Sequence, residues 1–419
     1  MLSAQLDQLY SAVTELGAEK IAVAFSGGGD STALLHALRD TENVTHAFII
    51  DHNLREESEI ETQRAAGFAL DLGYDVSIRK WDHGHPAKGI QVKAREYRYS
   101  AMGELCRKFG ITHLLTAHTE DDQAETLLMR QERGTGWRGL AGMRKEAYGP
   151  LWPALAEVTL VRPLLTVSRQ ALRGYNKAQG LLWIEDPSNE NKDFTRVHAR
   201  QKLKGTIKLK QSLLNTQAEH VSRLFKERQN FKQWMLDNAT LLAEGGVEIK
   251  AIPSPELMLH ILRIASGSGG PIDSARRDAL CESMTQNDFK ASTLAGAWVV
   301  KTQSGFLITR DKVATLGRRD KTEPDIVPVE LSHENVMLWD GRFLLRANQS
   351  GIRVEAAQGH LQKLREHIET KAIFKLPKCV RPTLPVYFQG DDIIGFGTGN
   401  WAALSSTGLA DIRFQSLWG

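Results

Sequence analysis

Up to Thr116 the chain alternates between two hydrophobic patterns. Short apolar runs rich in β-branched residues, at 21–25 (IAVAF), 46–50 (HAFII), 75–79 (DVSIR) and 112–116 (THLLT), predict buried strands. Between them, over Ser31–Asp40, Glu56–Leu72 and Gln91–Phe109, apolar residues return every three or four positions, which predicts helices. Alternating strands and helices predict a parallel sheet covered on both faces. Such sheets take ligands beyond the carboxyl ends of their strands. There the first run meets three glycines, the second meets Asp51-His52 and the fourth meets Ala117-His118.

The pattern changes near Phe194. Amphipathic stretches at Leu213–Trp234, Pro255–Ala265 and Ser274–Met284 predict a helical region, and the polar "GRRDKTEPD" after Leu316 predicts a linker. Further on, "VMLWDGRFLLRA" and "LPVYFQGDDIIGFGTG" alternate apolar and polar residues around Asp-Gly or Gly turns, which is the pattern of hairpins. The fold class is therefore α/β: an N-terminal parallel sheet with helices on both faces, then a helical domain, then a small β-rich domain. The expected segments are 1–195, 196–317 and 318–419.

Composition narrows the function. A chain of 419 residues exceeds a single compact core, and its 42% hydrophobic and 25% charged content argues against extensive disorder. Apolar runs such as Ala47–Ile50 and Leu294–Val300 are too short for a bilayer. Leu2, Leu6, Leu9, Val13 and Leu16 recur at helical spacing among Asp7, Glu15 and Glu19, which describes a packed surface helix and not a leader, so no membrane and a cytoplasmic location are expected. Cys106, Cys281 and Cys379 are isolated, which argues against a zinc ribbon or an iron–sulfur cluster. His83 and His85 lack a third ligand and read as a surface loop. Net charge is only +3, yet ten Lys or Arg residues lie between Arg196 and Lys232 against Glu219 and Glu227. That one-sided run favours a polyanionic partner.

The residues after the first strand, Ser26-Gly27-Gly28-Gly29-Asp30-Ser31, hold the sharpest chemistry. A dinucleotide fingerprint needs a further glycine where Thr32 stands, and a Walker loop needs a lysine the segment lacks. Three glycines before a helix let consecutive N–H groups meet one anion, with the helix N-terminus adding partial positive charge. Ser26 and Ser31 offer hydroxyls to phosphate oxygens, and Asp30 either holds a magnesium ion or caps its helix. Further along, Asp122 and Glu125 stand three apart and share one helix face. Beside a phosphate loop, their partners are a magnesium ion or an ammonium group; alternatively they form a solvated acidic helix start.

The hexapeptide resembles the pyrophosphate-binding loop of the PP-loop ATP pyrophosphatases. Together with "DHNLR", "AREYRY", "HTEDDQAET" followed by "RGTGWRGL", "RPLL" and "DPSN", it resembles one family of that group, the bacterial tRNA(Ile)-lysidine synthetases. The motifs run in order through residues 21–200, with a looser likeness beyond. The family tends to read Arg-Asn-x-Ile-Arg where this chain has Arg196-Val197-His198-Ala199-Arg200.

The resemblance implies an ATP-dependent ligation with ATP and Mg2+ as cofactors. ATP adenylates the 2-oxygen of the cytidine at the first anticodon position of tRNA(Ile) with a CAU anticodon. The ε-amine of free L-lysine then displaces AMP. The resemblance further implies that Ser26, Gly27, Gly28, Gly29, Asp30 and Ser31 bind ATP and that Asp122 and Glu125 hold lysine. Arg98, His118 and Asp30 join these two acids as catalytic candidates. Arg133, Arg196, Arg200, Lys202 and Lys204 are expected on tRNA, the segment 196–317 as a tRNA-binding domain and 318–419 as a tRNA-recognition domain. Trp137 and Trp183 are read as core packing in preference to base stacking. The chain is expected as a monomer or dimer. The rivals are a PP-loop tRNA thiolase, which generally needs paired cysteines, and a non-catalytic adenine-nucleotide-binding module, for which the paired acids have no use.

Overall fold

The structure is a computed structural model describing residues 11–54, 57–82, 90–185, 195–268, 270, 272–313, 326–333, 336–366, 376–401 and 403–418. The expected linker, His83, His85, all of "DPSN" and the start of the N-terminal helix lie outside these residues. The chain forms two compact units: 1–150 with 157–227, and 151–156 with 228–419.

The first unit is built on β1 (Ile21–Ala24), β2 (Val44–Asp51), β3 (Asp75–Lys80), β4 (His113–Thr116), β5 (Glu146–Tyr148) and β6 (Thr159–Val161). The sheet order is β3-β2-β1-β4-β6-β5, with only β5 antiparallel to its neighbour. Its helices are α1 (Gly29–Ala37), α2 (Ser58–Asp71), α3 (Ile90–Phe109), α4 (Glu120–Glu132), the short α5 (Trp137–Leu140), α6 (Arg169–Ala178), α7 (Thr195–Leu203) and the long α8 (Ile207–Asn238). All four strand runs expected from the sequence are strands. β1 is fully apolar and β4 carries an apolar centre, as strands covered on both faces require, and Ile21, Val23, Leu114 and Leu115 are completely buried. The strand order reverses between β1 and β4, each paired parallel to the other. In open α/β sheets, the crevice at such a switch point is where ligands bind. The turns leaving these two strands carry the glycine loop and the His118–Glu125 segment.

The border between the units falls inside α8. The second unit continues with β7 (Ala239–Leu241), β8 (Val247–Ile249), α9 (Pro255–Ser266), α10 (Ser274–Met284), β9 (Ala291–Leu294), β10 (Ala297–Lys301) and β11 (Phe306–Arg310). These five strands form an antiparallel sheet in the order β7-β8-β11-β10-β9, within the stretch the sequence pattern marked only as helical. The strands are short, three to five residues, and half-buried strands of that length leave little periodicity to read. The expected C-terminal hairpins are present: β13 (Val336–Trp339) pairs with β14 (Phe343–Ala347), and β16 (Pro385–Gln389) with β17 (Asp392–Phe396). With β12 (Val329–Leu331), β15 (Ile352–Ala356), β18 (Gly399–Asn400) and β19 (Leu404–Gly408) they make two four-stranded sheets around one apolar core. A short helix α11 (Leu361–Glu366) and the C-terminal α12 (Ala410–Trp418) complete the unit.

Candidate active site

The glycine loop is shaped for close approach. Gly27 has φ +73, which favours glycine, and a Cβ there would stand 2.6 Å from Ile184 Cδ1 and 3.1 Å from Ala65 Cβ, so the loop is also closely packed. Ile184 N–H donates to the Gly27 carbonyl at 2.9 Å, which lays the 183–184 segment along the loop, and Trp183 lies over Gly29. The Ser31 hydroxyl donates to the Gly28 carbonyl at 2.9 Å and stands 3.1 Å from the Ser26 hydroxyl. Gly28 is the N-cap of α1, and no side chain caps that helix. Its first N–H groups are therefore left for an external acceptor. Asp30 sits at the second helical position and does not cap; its Oδ2 accepts from Arg169 Nε at 3.2 Å.

The acids of α4 join this loop through the same arginine. Thr119 caps α4 in a capping box with Asp122: Thr119 N–H and its hydroxyl both donate to Asp122 Oδ2 at 2.8 Å. That leaves Asp122 Oδ1 to accept from Arg169 Nη2 at 2.7 Å and Arg196 Nη2 at 2.8 Å. Glu125, one helical turn on, accepts from Arg169 and Arg200 on Oε1 and from Arg196 on Oε2, at 3.2, 2.9 and 2.8 Å. The spacing of three does place both acids on one face. They are buried and ion-paired, so the solvated helix start is excluded. Arg169 thus touches Asp30, Asp122 and Glu125 at once, tying the phosphate loop to the acid pair.

Electrostatics follow from burial. Burial pushes the Asp30 carboxyl up to about 6, against the pull of Arg169 and with a further push from Asp122. For Asp122 burial acts upward, but Arg169 and Arg196 outweigh it and hold the carboxyl below its usual range. His118, hydrogen-bonded through Nδ1 to the Thr116 hydroxyl at 2.9 Å, is driven down to about 3 by burial, so the ring is neutral at working pH. It can exchange hydrogen bonds there but cannot act as an imidazolium acid.

Arg98 lies 4.9 Å from the Tyr99 ring, as does Arg95. Buried Tyr99 is held below its usual pKa by these two and Arg162, despite desolvation. Asp51 Oδ1 accepts from Asn53 N–H at 2.8 Å, bracing the "DHN" turn.

The basic run divides. Arg196 and Arg200, expected on tRNA, are engaged by the acid pair. Lys202 pairs with Glu132, and Lys210 with Glu120 and Asp121, so α7 and α8 clamp α4. Lys204 is exposed, and Arg133 ends α4 at the surface. Trp137 does not belong to the core: it is half-buried with Arg223 Cζ 4.0 Å over its ring. Trp183 is likewise half-buried. Val197, where the family tends to have Asn, is buried.

Arg169 escaped the sequence reading, although it stands four residues beyond the quoted segment "RPLL". The legible signal was a cation at the first position of a helix capped by Ser168, where it opposes the macrodipole and needs acids to hold it.

A doubly wound sheet, an uncapped glycine loop at its switch point and buried acids beside it define an ATP-using PP-loop enzyme, and a family model for the PP-loop domain matches residues 1–207. The tRNA(Ile)-lysidine synthase of Hyphomonas neptunium is 35% identical over 288 residues, covering 66% of this chain and 77% of that one. That of Ruegeria pomeroyi is 32% identical, covering 78% and 76%, and that of Wolbachia pipientis 30%, covering 87% and 86%. The chain belongs to the tRNA(Ile)-lysidine synthase family, ligases that form a C–N bond with ATP. Among the described residues no helix is long and apolar enough to cross a membrane.

Proposed function

We propose that this crevice joins free L-lysine to C2 of the first anticodon cytidine of a tRNA(Ile) bearing CAU, in the cytoplasm. The supporting observation is Arg169, whose one guanidinium spans the phosphate loop and the acid pair. In the first step the cytidine 2-oxygen attacks the α-phosphorus of ATP, the bond to the β-phosphate breaks and pyrophosphate leaves. Ser26, Gly27, Gly28, Gly29 and Ser31 surround the phosphates with N–H and hydroxyl donors where that charge develops.

Asp30 is suited to a magnesium ion. It is a carboxylate not used for capping, and no group of three or more potential metal-ligating side chains is found among the described residues. Magnesium bound through a single carboxylate takes its remaining ligands from water and phosphate oxygens. When bound, it would neutralise charge on the leaving pyrophosphate.

In the second step the lysine Nε attacks C2, the C2–O bond breaks and AMP leaves. The free ammonium has a pKa near ~10.4 and must lose a proton first. Asp122 and Glu125 hold the ammonium, and one of them accepts that proton. Their present partners differ in exposure: the Arg169 side chain is 20% exposed, those of Arg196 and Arg200 43% and 36%. The solvent-side arginines are the ones lysine displaces; exchanging one monocation for another leaves the acids neutralised throughout. Arg98 contacts the α-phosphate or the lysine carboxylate, and neutral His118 braces the crevice. Arg133, Lys202 and Lys204 meet tRNA phosphates, joined by Arg196 and Arg200 once released.

The test is incubation with labelled lysine, ATP and an unmodified tRNA(Ile) transcript with a CAU anticodon. Lysine-dependent AMP release with label retained in the RNA is expected. AMP formed only with a sulfur donor, or none at all, refutes the reading.

A further inference from the structure

Helix α1 begins in a way that favours fraying. Gly28 and Gly29 occupy its N-cap and first helical position, where glycine gives up the most backbone freedom, and no side chain caps it. Leaving those N–H groups open suits an anion, but the restraint a cap would give then has to come from elsewhere.

It comes from one face of α6. Arg169, Arg173 and Asn176 stand at i, i+4 and i+7 of that helix and so point the same way. Arg169 holds Asp30 at 3.2 Å. Asn176 is completely buried, and its Nδ2 donates to the Gly29 carbonyl at 2.8 Å across 147 residues of chain. Only the amide nitrogen can face a carbonyl, which settles the orientation of the side chain. Its Oδ1 is left buried without a hydrogen-bond partner among the described residues. Arg173 reaches Glu185 more loosely, at 3.5 Å, and Glu185 accepts from Trp183 Nε1 at 2.7 Å. Held there, the indole covers Gly29: a Cβ on that residue would meet Trp183 Cδ1 at 3.3 Å and Nε1 at 3.4 Å.

Gly29 is thus fixed through its carbonyl by Asn176 and covered by Trp183. In a trans peptide the C=O and the next N–H point opposite ways, so anchoring the Gly29 carbonyl aims the Asp30 N–H away from α6. Helix stability does not account for the amide: alanine has the higher helix propensity and leaves no unpaired oxygen. An unrestrained first turn would be ordered only by the ligand, at a cost in affinity. We propose that Asn176 and Trp183 are positioning residues for ATP, acting through Gly29 to hold the first turn of α1 in its binding conformation before the phosphates arrive. The inference rests on the proposed binding of ATP by residues 26–31, and on neither lysine nor tRNA.

Equilibrium binding of ATP with magnesium, and of tripolyphosphate, to the full-length protein tests it, with Tm measured alongside. In Asn176→Ala both dissociation constants should rise about 3–10-fold, the worth of one hydrogen bond, with Tm little changed. Trp183→Ala should weaken both ligands to a similar extent, and Trp183→Phe, which keeps a ring on Gly29, should restore most of the loss. A purely structural role for Asn176 predicts a lower Tm with Kd within about twofold of wild type, and such a Kd overturns the proposal. Weakening of ATP but not of tripolyphosphate in Trp183→Ala puts that side chain on the nucleoside and overturns its positioning role. If Asn176→Ala does not fold, the half-buried Trp183 variants carry the same readouts. Gly28→Asp separates this inference from the reading beneath it. Gly28 is extended at the N-cap, and a Cβ there comes no nearer than 3.5 Å to its surroundings, so the new carboxylate caps α1 with the N–H groups ATP would use. Binding should be lost in Gly28→Asp with Tm at or above that of wild type. Retained binding refutes ATP at this loop, and the inference falls with it. Lost binding beside an unaltered Kd in Asn176→Ala refutes the inference alone.

Discussion

The two units treat buried charge in opposite ways. At the sheet switch point Asp30, Asp122 and Glu125 face Arg169, Arg196 and Arg200, three carboxylates and three guanidiniums, with the arginines on α7 at the solvent edge. In the second unit Asp340 accepts from two buried arginines, Arg310 and Arg342, and Arg342 reaches further to the Thr383 carbonyl. A matched set with exposed members can exchange partners at little cost, which suits a substrate ammonium. A deeply buried set cannot exchange, which suits a fixed structural joint. Ion pairs of similar length therefore form an exchangeable set in one place and a fixed joint in the other, and exposure separates them.

Breaking each set should give unlike outcomes. Asp122→Asn keeps an acceptor for Thr119, so α4 stays capped, but removes a charge from the pair. Lysine incorporation should fall about 10²–10⁴-fold with tRNA binding nearly intact. Loss of tRNA binding in a filter assay would instead make Asp122 structural. Asp340→Asn should leave the chemistry alone and destabilise the second unit by about 3–5 kcal/mol, because two buried guanidiniums lose their counter-charge. Urea denaturation followed by near-UV signal measures this, and a change below about 1 kcal/mol contradicts the fixed joint. The smallest effect concerns the exchange itself. Arg196→Ala removes one competitor for the acids, so the KM for lysine should drop a few-fold, a surface-ion-pair magnitude of about 1 kcal/mol or less. A higher KM for tRNA with unchanged KM for lysine would place Arg196 on the RNA from the outset.

Much of the first unit was legible because its signals are local. A buried parallel strand is a short apolar run, a phosphate loop is a run of glycines, and carboxylates three apart share a helix face whatever surrounds them. The short strands between Ala239 and Arg310 were not legible, since three to five residues of mixed burial carry almost no period and their pairing is set by partners distant in sequence. Trp137 was misread for a related reason: an aromatic residue is core or surface according to what packs on it, here Arg223 from α8, far along the chain.

By itself, then, the sequence determined the α/β character of the first unit, the glycine loop after its first strand and the shared helix face of the acid pair, all properties of contiguous residues. Only the tertiary structure decided what those residues touch. It freed Asp30 from capping, turned Arg196 and Arg200 from a run of positive charge into partners of Asp122 and Glu125, and brought Arg169 between loop and acids. The physical reason is that electrostatic partnership depends on distance and burial in the folded chain, and residues such as Asp30, Glu125, Arg169 and Arg196 become neighbours only once the sheet and its crossover helices have formed.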